Sequence, residues 1–314
     1  MTTNGDVSQG AARDESTSDQ TGNDRARATV VVAREAGACY GVERALRMVR
    51  EAANQAGEVH TLGPLIHNPR VVRDLASVGV SEVDSLDGLR PGSTVVVRTH
   101  GVVPSIVDEA RALGLGVLDA TCPHVKKVHD SVSLLRSQGY QIVIVGDPGH
   151  PEVEAIVGYA GDDAIVVNDP DQLADVRIRP RVGVVAQTTQ THALLQAVVS
   201  RLTERAAEVR VFTTICSATR RRQQAAAELA GHADVIVVVG GRNSGNTSRL
   251  AQICRARCAR THHIEGEDEL EPAWFEGARV IGITAGASTP SSQIMSMRDA
   301  IVAMTGAKVE DDRE

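Results

Sequence analysis

Three cysteines stand at matching places in one repeated layout, and a chain that repeats strand, cysteine and helix has few folds open to it. The sharpest copy is Asp119-Ala120-Thr121-Cys122-Pro123, where an apolar run ends, the cysteine follows, and a helical pattern begins at the proline. Cys39 and Cys216 sit at the same kind of handover. Counting 24 residues on from each cysteine reaches Gly63, Gly146 and Gly240, and counting 28 reaches His67, His150 and Ser244. Each copy therefore brings one thiol and one polar residue suited to a phosphate.

The strand-like runs are short, β-branched and apolar on both faces, as buried parallel strands are. They fall at residues 29–33, 94–99, 142–145, 164–167, 182–186, 209–213, 235–239 and 280–283. Helical stripes lie between them: Val125, Val128, Val132 and Leu135 after Cys122, and Val42, Ala45, Leu46 and Val49 after Cys39. The third copy, 219–229, is richer in alanine and charge. Strand and helix in alternation predict an α/β fold with largely parallel sheets. With the repeat, they predict three related small units, 28–121, 122–212 and 213–305, in a pseudo-threefold arrangement about the three cysteines. A single doubly wound sheet with coincidental spacings is the alternative. Residues 1–27, polar and without an apolar stretch, are expected to be a disordered tail, and 306–314 a short acidic one.

A formal charge of -7 and only 2% aromatic residues argue against nucleic acid, which asks for a basic surface or stacking rings. No apolar run approaches the roughly 20 residues of a membrane span. Without an export signal the expected compartment is the reducing cytoplasm, where disulfides are disfavoured and metal or cluster binding, catalysis or plain packing must account for the thiols. Three strand-end thiolates from related units can converge, and such a set suits a soft metal or an iron–sulfur cluster. Three ligands, not four, would leave a position open for substrate. Cys254 and Cys258, four apart beside Leu250 and Ile253, are expected on one face of the following helix as core residues.

Around the thiols the sequence arranges a polar ring. Turns at 63–69, 146–152 and 240–246 lead into helices, two of them through Pro69 and Pro151, and helix N-termini with His67, His150, Ser244 and Asn246 form an anion site. A further strand in each unit ends at His100, Thr188 and Ser288. Gly240 to Thr247 has the glycine spacing of a P-loop, but Asn246 stands where the lysine is required, and no GxGxxG opens a helix. Glu152, two residues after His150, is either a helix-start charge or a proton donor near the thiols.

These residues resemble one family, the 4-hydroxy-3-methylbut-2-enyl diphosphate reductases, or LytB/IspH proteins. The likeness runs in order through Gly37 to Val42, Thr61 to Asn68, Thr99 to Val102, Asp119 to Pro123, Gly149 to Val153, Gln187 to Thr189, Thr214 to Cys216, Asn243 to Asn246 and Thr284 to Ser288. The resemblance implies a three-unit α/β fold around a central iron–sulfur site, a [4Fe–4S] cluster held by Cys39, Cys122 and Cys216 with one open iron. It implies diphosphate contacts from His67, His100, His150, Ser244, Asn246 and Ser288, with Thr188 near the substrate hydroxyl and Glu152 delivering protons. The implied reaction is a two-electron reductive dehydroxylation to isopentenyl and dimethylallyl diphosphates, fed by a ferredoxin or flavodoxin. Two positions depart from the family: Ala38 replaces an aromatic residue, and Gly245 the second serine of Ser-Ser-Asn. A non-catalytic metal or redox sensor of the same fold, or a paralogue acting on another allylic diphosphate, are the competing expectations.

Overall fold

The computed structural model describes residues 28–310, apart from residue 56. The expected tail at 1–27 lies outside the described residues. In chain order the elements begin with β1 (Thr29–Val32), α1 (Tyr40–Asn54), β2 (Val59–Leu62), α2 (Pro69–Ser77), β3 (Val80–Val83), β4 (Thr94–Val97), α3 (Pro104–Ala112) and β5 (Gly116–Asp119). They continue with α4 (Pro123–Ser137), β6 (Gln141–Val145), α5 (Pro151–Ala160), β7 (Ile165–Val167), β8 (Arg181–Ala186), α6 (His192–Thr203) and β9 (Glu208–Val211). The last group is α7 (Ser217–Ala230), β10 (Val235–Val239), α8 (Gly245–Arg255), β11 (Thr261–Ile264), β12 (Val280–Ala285), α9 (Ser291–Thr305) and β13 (Lys308–Glu310).

The strands form three all-parallel sheets, ordered β3-β2-β4-β5, β7-β6-β8-β9 and β11-β10-β12-β1-β13. Alternate residues of one strand serve opposite faces. Val235, Val237 and Val239 pack on the side of α9, with Met297 and Ile301, whereas Ile236 and Val238 pack on the side of α8, with Leu250 and Ala251. Val143 and Val145 face α6, while Ile142 and Ile144 face α4 and α5. Both faces are covered, so these strands read as unbroken apolar runs. Each fully buried Val or Ile contributes about 1.5–3 kcal/mol.

Two expected boundaries are corrected. The strand at 29–32 does not open the first unit; it pairs with β12 and β13 in the third sheet. Each cysteine is thus a crossover: β1 of the third sheet leads through Cys39 into α1, which packs on the first. Likewise β5 leads through Cys122 into α4 of the second unit, and β9 through Cys216 into α7 of the third. The acidic tail from 306 is also redrawn, because Lys308 to Glu310 lie beside β1 as an edge strand. Cys258 lies beyond the end of α8, since the helix stops at Arg255, while Cys254 is buried on it. Among the described residues no helix is long and apolar enough to cross a membrane.

Candidate active site

Cys39, Cys122 and Cys216 are the N-cap residues of α1, α4 and α7, each with extended backbone angles before the first helical turn. Every one is tied to the unit before it. The Cys39 N–H donates to the Ala287 carbonyl at 3.1 Å, Cys122 to Thr99 at 3.0 Å, and Cys216 to Thr188 at 3.0 Å. A Cβ placed on Gly41 would come 2.6 Å from the Cys122 Sγ and 3.9 Å from the Cys39 Sγ. Glycine there leaves room for two sulfurs converging from different units. Burial pushes the Cys122 thiol up; the amides of His124 and Val125 pull it down, and the Cys39 and Cys216 sulfurs push it up again. The third sulfur is therefore close enough to be felt electrostatically. An all-sulfur set of three at helix starts suits a soft iron–sulfur group.

Beside the thiols lies a cavity with about 80 Å³ of room for the centres of water-sized groups. His67, His100, His150, Glu152, Ser244, Asn246 and Ser288 all line it, together with Val42 from the first turn of α1. His67 and His100 lie 4.4 Å apart between ring centroids, and His150 sits edge-on to both at 5.4 and 5.5 Å.

Local chemistry explains how the three turns hold these groups. Asn68 caps α2 by accepting from the Arg70 and Val71 amides, with Pro69 at the first helical position. The Asn68 Nδ2 also donates to the Ser288 carbonyl at 2.9 Å, and the Ser288 Oγ donates to the His67 carbonyl at 3.1 Å. A Cβ on Gly241 would lie 2.5 Å from that same carbonyl, so the first and third units touch through backbone. His150 caps α5, its Nδ1 accepting from the Glu152 amide at 3.1 Å, which leaves Nε2 as the protonated nitrogen of the neutral ring. Ser244 caps α8 by accepting from the Thr247 amide at 3.3 Å.

Several of the pocket's polar groups are in place but unspent. His67 Nε2, His100 Nδ1 and both amide atoms of Asn246 are buried without hydrogen-bond partners. Burial drives all three histidines below their ordinary pKa. His67 falls to about 4, helped by His150 and Arg98; His100 falls well below, helped by its two neighbours and Arg98; and His150 falls against the pull of Asp147. Neutral rings with free ring nitrogens, three helix N-termini and the cationic Arg98 nearby make a receptor for a compact anion. The same three rings bring one nitrogen each within 4.8 Å of the others, close enough to ligate a metal ion instead.

Glu152 is 2% exposed, and both of its oxygens are held by Thr188. The Thr188 N–H donates to Oε1 at 2.6 Å and its Oγ1–H to Oε2 at 2.9 Å. Burial raises the carboxyl from 4.5 to about 7; the Thr188 bonds oppose this and Asp147 adds to it. A carboxyl poised near neutrality can give up a proton at working pH. Thr188 itself is bound to Glu152, and its neighbour Thr189 lines the cavity.

The family model described as "LytB protein" matches residues 30–302. The chain belongs to the LytB protein family. Among LytB relatives, one from Pelobacter propionicus is 48% identical over 261 residues, 83% of this chain and 93% of that one. Another, from Citrifermentans bemidjiense, is 45% identical over 280 residues, 89% of this chain and 99% of that one. Both are named 4-hydroxy-3-methylbut-2-enyl diphosphate reductase. A solved structure of (E)-4-hydroxy-3-methyl-but-2-enyl diphosphate reductase, described as the terminal enzyme of the non-mevalonate pathway, is 40% identical. It covers 88% of this chain and 99% of its own, with a TM-score of 0.65. A Plasmodium falciparum structure, 23% identical and covering 91% of each chain, shares the fold with a TM-score of 0.86.

Three residues at the LytB site escape sequence reading. Arg98 was hidden at the end of a strand, Asn68 does structural work on its neighbours, and Arg222 lies in the helix with the weakest apolar pattern. Asn before Pro69 is a legible cap; the two arginines carry no local signal.

Proposed function

We propose that this chain is a 4-hydroxy-3-methylbut-2-enyl diphosphate reductase. The observation that carries the reading is Glu152: a buried carboxyl raised to about 7 and clamped by Thr188 at one side of an anion pocket, with the Thr188 carbonyl in turn accepting from the Cys216 amide. The reaction adds two electrons and two protons to the allylic alcohol. The carbon–oxygen bond breaks, the hydroxyl leaves as water, and a carbon–hydrogen bond forms to give isopentenyl or dimethylallyl diphosphate.

In this reading His67, His100, His150, Ser244, Asn246 and Ser288 grip the diphosphate with ring N–H, amide and hydroxyl donors. Binding energy from that remote, non-reacting group orients the alcohol. Glu152 gives a proton to the departing oxygen, and the Thr188 hydroxyl holds the carboxyl in place and bridges it to the substrate. Cys39, Cys122 and Cys216 would hold a [4Fe–4S] cluster with one iron free of protein ligands. When bound, that group would supply the electrons, received singly from a ferredoxin or flavodoxin in the cytoplasm.

A metal- or redox-sensing protein would have a use for the thiols or for the three-histidine cluster, but none for the Thr188–Glu152 pair. Anaerobic purification followed by iron and sulfide assay, then mass spectrometry of products with reduced viologen, tests the choice. Iron, sulfide and five-carbon diphosphates are expected. Zinc without sulfide, or a cluster indifferent to substrate, would overturn the reading.

A further inference from the structure

One charged side chain beside the thiols has no part in the reaction above. Arg222 lies on the inward face of α7, which also buries Thr219, Ala226 and Ala230, and it is 4% exposed. Its Nη2 donates to the Gly37 carbonyl at 2.7 Å, two residues before Cys39. Its Nε and Nη1 are buried with no hydrogen-bond partner. Arginine keeps its proton in proteins, so the fold encloses a permanent positive charge with donors to spare. Such a charge is costly to bury unless negative charge answers it.

The surroundings name that answer. Burial works against the Arg222 cation; the Cys39 sulfur, Glu35 and the Cys216 sulfur, in that order, work for it, and Arg221 opposes. Glu35 is already paired with Arg221, whose Nε donates to it at 3.0 Å. The two sulfurs are what remains.

We propose, on the cluster reading given under Proposed function, that Arg222 is a positioning residue for the thiol site. It pins the loop that carries Cys39 and supplies the fixed positive charge against which a cluster on Cys39, Cys122 and Cys216 accepts an electron. Each electron from a low-potential one-electron donor makes a thiolate-held cluster one charge more negative, and the donor is oxidised by one. A nearby cation stabilises the reduced form more than the oxidised form. Arg222 therefore raises the potential at which the cluster is reduced.

The test compares the cluster-loaded chain with Arg222→Lys, which keeps the charge, and Arg222→Gln, which keeps a donor for Gly37 and loses it. Iron and sulfide are measured first; their absence from the unsubstituted chain would overturn the cluster reading itself. The reduced-to-oxidised ratio is then read spectroscopically in a redox titration. Arg222→Gln should lower that ratio at a fixed potential by about tenfold, the order of effect of removing one unit charge near a buried site at an effective dielectric constant of about 20. For a one-electron couple this is about 59 mV. Arg222→Lys should stay within about threefold of the unsubstituted chain, its charge being intact. Equal ratios for the lysine and glutamine variants would overturn the proposal. Should Arg222→Gln not fold, Arg222→Met, which keeps an unbranched side chain of similar length and loses the charge, is titrated instead, and a ratio equal to that of Arg222→Lys would overturn the proposal.

Discussion

Replacing Glu152 with glutamine removes a proton and little else. Glutamine keeps Oε1 for the Thr188 amide, and its Nε2 donates to the Thr188 hydroxyl once that hydroxyl turns to accept. Both bonds, at 2.6 and 2.9 Å in the parent, survive, so the loop after β8 stays in place. General acid catalysis contributes about 10²–10⁴-fold. The turnover number should fall by that factor, ~3–5 kcal/mol of barrier, with iron content and diphosphate affinity unchanged. Stability moves the other way. The carboxyl ionises near 4.5 when unfolded and near 7 when buried, so between those values the native state holds the extra proton. Stability is whole below 4.5 and is lost as pH rises to about 7, by about 3 kcal/mol at 1.36 kcal/mol for each tenfold change. Glutamine carries no such penalty, so the variant should gain on the parent over that window and keep the gain above it. Steady-state product formation with reduced viologen reads the first effect; thermal unfolding at about pH 5 and about pH 8 reads the second. Parent-like turnover would refute the acid role. An unfolding difference that is the same at both pH values would refute the buried, raised carboxyl.

Three further outcomes follow from the same geometry. Cys122→Ser should lose the iron, whereas Cys254→Ala should keep it, because that thiol is buried against the Ala226 carbonyl and pushed up to about 12; iron per chain reads both. Inorganic diphosphate should bind with proton uptake, since His67, His100 and His150 are held neutral and an anion beside them restores their basicity. Affinity should then weaken with rising pH by up to about tenfold per pH unit for each proton taken up, and calorimetry in two buffers, corrected for the ligand's own protons, would refute this by finding none. Ser244→Ala should cost about 1 kcal/mol through the lost cap of α8 and raise KM, seen as a lower unfolding midpoint and weaker substrate saturation.

Much of this site is local, and local features are legible. A cysteine before Pro123, Asn68 before Pro69, or His150 before Pro151 announces its own helix start. Such handovers put thiols and histidines at the edges of parallel sheets without further information. What the chain does not write locally is which sheet a strand joins. Thr29 to Val32 reads as a buried strand, yet its partners lie around Val280 and Lys308. Lys308 to Glu310 is exposed throughout and alternates charge with a single valine, so it carries no core signal and pairs only as an edge. The charges behave similarly. Arg222 sits in a helix full of arginine and glutamine, and only packing against Gly37 separates it from its solvated neighbours.

The placement of β1 also bears on how this protein is made. On a ribosome the strand at Thr29 emerges long before its partner at Val280, and at roughly 5–20 residues per second the wait is roughly 10–50 s. During that interval Val30 and Val32, wholly enclosed in the finished molecule, are bare apolar surface on a nascent chain. Cys39 meanwhile lacks the Ala287 carbonyl that will anchor it. The first and second sheets can close while translation continues, but the ring of thiols closes only once the stretch from Val280 to Ala287 has been made. A truncated product would therefore carry most of the fold and none of the chemistry.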